Sequence, residues 1–163
     1  MSKANIGGMA IASGLMTGVG GIKTSVGTAG ANTTSNTTGV STGIAFALGV
    51  GEYLITCILG VTTAATTTAP RFAFLASGGL VAGSFDMQAD VSTTAVASQP
   101  SNSNTLGTFT AATTGQGATQ RPVVITARVR VTTAGTVTLQ LQSEVSGSAV
   151  TMVEGCGYAV RVA

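Results

Sequence analysis

The stretch from Arg121 to Val145, RPVVITARVRVTTAGTVTLQLQSEV, constrains this chain more than any other part of it. Successive side chains of an extended strand point to opposite faces. Val123, Ile125, Ala127, Val129 and Val131 share one parity, and Val124, Thr126, Arg128 and Arg130 share the other. The alternation resumes after Thr132-Thr133-Ala134-Gly135, with Val137, Leu139, Leu141 and Val145 on one side and Thr138, Gln140, Gln142 and Glu144 on the other. A helix would scatter such a period-two pattern around its circumference, so two half-buried strands are predicted. The four-residue step is expected to close a hairpin that sets Arg128 opposite Gln140 and Arg130 opposite Thr138. Both arginines then lie on a polar face, either plainly solvated or in contact with another subunit or an acidic partner.

Composition extends that reading to the whole chain. Thr (28), Val (18) and Ile (7) make 53 of 163 residues β-branched, a bias toward pleated surfaces. Gly, at 23 residues, weakens helix and strand interiors alike and so belongs largely to turns, bulges and irregular segments. From Ile44 onward, short strand signals alternate with Gly, Ser, Thr, Asn and Pro clusters. They cover 44–48, 52–62, 71–75, 80–87, weakly 93–97 and 107–111, then 123–132, 136–145, 149–154 and 158–162. The last two are expected to pair as a second hairpin across Gly155-Cys156-Gly157. About ten short strands in one domain predict an all-β sandwich or barrel. The intervening 62–70 and 98–119 are expected to be loops, the second long enough to contact a partner.

Residues 1–43 differ. Glycines recur every few residues, and Ile6, Met9, Ile11, Leu15, Met16, Val19 and Ile22 follow no sustained period. A signal peptide would need an unbroken apolar stretch and a cleavage site, and a membrane span about 20 consecutive apolar residues; Gly7, Gly8 and Gly14 interrupt both. The expectation is an extended arm, residues 1–43, ordered by a partner surface and joined to a domain of residues 44–163. Its seven apolar side chains would fill small pockets on that partner.

Chemistry finds few residues to work with. The chain has no His, which removes Ser-His-Asp triads, the usual zinc sites and the ordinary near-neutral acid or base. Seven basic against five acidic residues give a net charge of +2, too weak for a nucleic-acid footprint. Asp86 and Asp90 are the nearest carboxylate pair but lack the ligand density of a calcium loop. A glycosidase would need two of Glu52, Asp86, Asp90, Glu144 and Glu154 in one cleft, with Asp86 and Glu144 the residues to test. Cys57 and Cys156 have no metal-ligand spacing, and a bond between them is open. No enzyme, metal or cofactor is expected. Only 7% of residues are charged, well below a typical soluble surface, which points to a subunit of an assembly.

Three blocks carry a resemblance: EYLITCILGVTTAATTTAPRFAF, GSFDMQADVS, and RPVVITARVRVTTAGTVTLQLQSEVSGSAVTMVEGCGYAVRV. In that order they resemble small tailed-bacteriophage virion proteins, over roughly three-quarters of the chain. The resemblance implies a jelly-roll-like domain, commonly a homotrimer, acting as a capsid decoration (cement) protein on the outer surface of the phage head. Its partners would be the major capsid protein and further copies of itself, without direct nucleic-acid or membrane contact. A tail-fibre or receptor-binding module of the same virion is the alternative, and a carbohydrate-active enzyme a more remote one.

Overall fold

In a computed structural model of the chain, residues 22–92, 98–111 and 117–163 are described. They form ten strands and no helix: β1 Ile22–Val26, β2 Ala31–Thr33, β3 Val40–Leu48, β4 Gly51–Thr63, β5 Pro70–Ser77, β6 Val81–Ser92, β7 Ser98–Ser103, β8 Arg121–Thr133, β9 Gly135–Ser143 and β10 Val150–Arg161. The larger sheet has the order β1-β10-β4-β8-β6-β7, with β2 also on β10, and the smaller has the order β3-β9-β5. All pairings are antiparallel. The chain is thus all-β, two open sheets with a core shared between them and no closed barrel.

The sheets fit because bulk on one meets small residues on the other. The smaller sheet supplies Ile44, Phe46, Leu48, Phe72, Phe74, Leu139 and Leu141, all buried. Burying each is worth about 1.5–3 kcal/mol before entropy. Opposite them the larger sheet sets Cys57, Ala89, Ala127, Gly157 and Ala159 among its longer side chains. Phe74 meets Phe85 edge-on across the layers, with centroids 6.3 Å apart and planes at 78°.

The parity of 121–141 is as expected: Val123, Ile125, Ala127, Val129, Val131, Val137, Leu139 and Leu141 are all buried. The hairpin is not. β8 pairs with β4 and β6, whereas β9 pairs with β3 and β5 in the other sheet. A single residue, Ala134, carries the chain from one layer to the other. Period-two alternation gives both strands an inward face but cannot say whether those faces belong to one sheet or to two. Gly135 permits the crossing: a Cβ there would stand 2.5 Å from the backbone N of Leu80 and 2.7 Å from the Ser77 carbonyl. Val145, expected inward, lies beyond the end of β9 and is exposed, while Gln142, expected outward, is buried.

The second expected hairpin is one strand. β10 runs through Gly155-Cys156-Gly157 without turning, bulged between Met152 and Glu154, and pairs along its length with β4. Its glycines are there for space. A Cβ on Gly155 would reach Leu59 Cδ2 at 2.5 Å, and one on Gly157 would reach Cys57 Sγ at 2.7 Å and Phe46 Cζ at 3.1 Å. Core side chains of the neighbouring strand and of the facing sheet therefore rest on bare backbone.

The arm boundary at residue 43 also shifts. β1 and β2 pair with β10, and β3 begins at Val40, so residues 22–43 are woven into the sandwich. At the β3 bulge Gly43 has φ +80° and lies against the Thr28 backbone N, 2.7 Å from where a Cβ would be, a place only glycine fills without strain. Of the expected arm residues, only Ile22 is among those described; Ile6, Met9, Ile11, Leu15, Met16 and Val19 lie outside them. The weak strand 93–97 is likewise outside. Residues 107–111 form no strand, yet Gly107 N and Thr110 N donate to the Phe74 and Phe72 carbonyls at 2.8 Å each and so cover the β5 edge. The expected loop 98–119 starts with a strand, β7, on the edge of β6.

Candidate interaction surface

Registers of the larger sheet place its outward residues in rows across the strands β1, β10, β4, β8 and β6. One row is Val26, Cys156, Ile58, Val124, Asp90. The next is Thr24, Tyr158, Thr56, Thr126, Gln88, and the one after it Ile22, Val160, Leu54, Arg128, Asp86. A final row holds Glu52, Arg130 and Ser84. Side chains in such rows are direct neighbours. The β1-β10-β4 half of this face is therefore mostly apolar, with Thr24 and Thr56 flanking Tyr158 in its middle row, and the β8-β6 half is polar with both signs of charge.

The exposure of that apolar half is large. Val26 is 77% exposed, Ile22 52%, Ile58 51%, Leu54 46% and Tyr158 42%, with Val124 at its polar margin. Single exposed apolar residues are ordinary; a contiguous group rimmed by polar residues marks an interaction site. A shallow depression of about 390 Å³ opens in it between Val26, Ile58, Glu154 and Cys156. In the run EYLITCILGV both parities carry large apolar residues, a pattern that belongs to strands covered on both faces, whereas the smaller sheet covers only one; the strand expected over 52–62 carried that signal without its being read as a surface.

Arg128 and Arg130 lie on the polar half and are exposed, facing Leu54 and Glu52 on β4 and Asp86 and Ser84 on β6 rather than Gln140 and Thr138. The Arg128 guanidinium donates to Glu52 Oε2 at 2.8 Å. That bond and its charge hold the Glu52 carboxyl below the usual carboxylate range and raise Arg128 in turn. Gln88 donates to both oxygens of Asp90, at 3.0 and 3.2 Å. Gln120 donates to Glu154 at 2.6 Å.

Of the carboxylates considered for a glycosidase, Asp86 and Glu144 are not brought together: Asp86 is on the outer face of β6, and Glu144 follows β9 of the other sheet. Among the described residues no group of three His, Cys, Asp or Glu could hold a metal ion. Cys57 faces the core and Cys156 the outside of the same sheet, on neighbouring strands, so they form no disulfide with one another. Burial, and to a smaller degree Cys156, pushes the Cys57 thiol up to about 12. No helix among the described residues is long and apolar enough to cross a membrane. The chain matches no protein-family model and no curated protein.

Proposed function

We propose that this chain is a structural subunit of a virion, a decoration protein on the outside of a tailed-phage head. Its sandwich would associate with copies of itself, and residues 1–21 would reach across neighbouring capsid subunits. The observation that carries the reading is the uncovered apolar half-face of the larger sheet, on a chain with only seven basic and five acidic residues. A surface like that is costly in water and acquires its value when covered. Strand order lends support. β1-β10-β4-β8 faces β3-β9-β5, with 107–110 running along the β5 edge, and the chain alternates between layers while first and last strands lie side by side. We read this order as supporting the winding of a double Greek key, the jelly roll of many viral shells, with β6 and β7 added at one edge. Fold alone does not fix function; surface, composition and sequence resemblance agree on an assembly role.

Mechanically, the arm would hold by many small contacts, roughly 25 cal/mol per Å² of apolar area, repeated over a symmetric shell so that avidity multiplies them. The test is addition of the purified protein to particles of the encoding phage that lack it. Full-length chain should bind in at least one copy per several capsid subunits. A variant lacking residues 1–21, which retains all ten strands, should fold and fail to bind. Unchanged binding by that variant would remove the arm from the mechanism, and a few copies confined to the tail would make the protein a tail-fibre module.

A further inference from the structure

We infer that the outer face of the larger sheet is covered by a second copy of this chain, packed face to face about a two-fold axis along the row Thr24-Tyr158-Thr56-Thr126. The inference starts from the same uncovered face as the proposed function but does not require the virion reading.

Its ground is a symmetry in the side chains. Above the row lie Val26, Cys156 and Ile58; below it, on the same three strands, lie Ile22, Val160 and Leu54. A two-fold axis along the row keeps each strand over its own equivalent and exchanges the two flanking rows. Val26 then meets Ile22 of the second copy, Cys156 meets Val160, and Ile58 meets Leu54, apolar against apolar in every case. On β8 the exchange sets Val124 against the stem of Arg128, whose guanidinium already holds Glu52. The one like-charge meeting, Asp90 with Asp86, falls at the β6 edge, where the twist of packed sheets parts their corners.

The area suffices. The eighteen outward residues of the four rows, each occupying about 4.8 by 6.7 Å of sheet, cover roughly 580 Å² per copy before side chains are added. Two copies thereby reach the roughly 1,000 Å² that separates a specific interface from a casual contact. An isologous pair also closes on itself, so this face would not propagate into fibres. A three-fold ring cannot use this pattern, because it would set the face against a different surface.

Two measurements test the inference on the full chain. Light scattering behind size exclusion should give twice the 15.9 kDa chain mass, and Ile58→Lys or Leu54→Lys should give the single mass with an unchanged circular-dichroism spectrum. A monomeric or trimeric wild type, or a dimer that survives both substitutions, overturns it. Val160→Cys, which leaves the face nearly apolar, supplies the second. It places a new thiol against Cys156 of the other copy, so a short thiol-to-thiol crosslinker should convert the variant to covalent dimer. Wild type should stay uncrosslinked, since the two native Cys156 side chains are offset by about 13 Å along the strands and Cys57 is buried. Equal crosslinking of wild type and variant, or none of the variant, overturns the two-fold register.

Discussion

Ile55 and Ile58 belong to the same strand, three residues apart, and live in different worlds. Ile55 is 1% exposed between the sheets; Ile58 is 51% exposed on the outside. Sequence gives them equal standing, as members of one apolar run. The difference teaches that an apolar residue in a strand declares only that its face wants cover, and topology decides which face receives it from within the same chain. The inner face of β4 is met by Phe46 and its neighbours from the smaller sheet; the outer face has to be met from outside.

The sharpest way to break this comparison is to truncate both residues. Ile55→Ala should cost about 2–5 kcal/mol in urea unfolding, the usual cost of a core cavity. Ile58→Ala, measured at protein concentrations dilute enough to disfavour association, should stay within about 0.5 kcal/mol of wild type. Equal losses would mean that the outer face is covered in the monomer. A step smaller is Gly157→Ala, whose added methyl has Cys57 Sγ in its way. Overpacking of about 1–3 kcal/mol is expected, and Cys57→Ala in the same chain should recover part of it, the non-additivity expected of touching residues.

Thiol chemistry separates the two faces by rate. At protein concentrations dilute enough to disfavour association, Ellman's reagent should titrate Cys156 quickly and Cys57 only on unfolding, because Cys57 is buried and its thiolate strongly disfavoured. Two fast thiols would place Cys57 at a surface. The smallest effect belongs to Arg128 and Glu52. A carboxyl held below its unfolded value contributes stability above that unfolded value and loses it as pH falls through the folded one. Arg128→Ala should therefore leave stability near pH 7 almost unchanged, as exposed ion pairs do, and slightly flatten the acid limb of a stability-against-pH curve. A change confined to alkaline pH would contradict the pairing.

Much of the architecture was legible. The parity of Val123 to Val131 and of Val137 to Leu141 named core residues one by one, because a period of two is a geometric property of the extended chain. What stayed hidden was anything requiring knowledge of the partner strand. Thr132-Thr133-Ala134-Gly135 looks the same whether the chain folds back beside itself or crosses to the other layer. Gly155-Cys156-Gly157 looks like a turn because glycine serves turns and close packing equally; only Cys57, Leu59 and Phe46 on other strands reveal which is meant. Ile22 was noted as apolar but placed in an arm, since five residues of β1 carry no strand signal until β10 lies beside them. The apolar outer surface was missed for the same reason: it is an alignment of Val26, Ile58 and Tyr158 across three strands distant in sequence.

The pairing of β1 and β2 with β10 has a consequence for biosynthesis. The earliest described strands have no sheet neighbour until β10 has been made, and β3, β4, β5 and β6 alternate between layers, so among the described strands β6 and β7 are the only consecutive pair that can settle as a local hairpin first. Closure must wait for β10 and is dominated by contacts between distant residues, which places folding toward the millisecond-to-second end of the scale. During that interval an apolar, charge-poor chain is open to association with other unfolded copies.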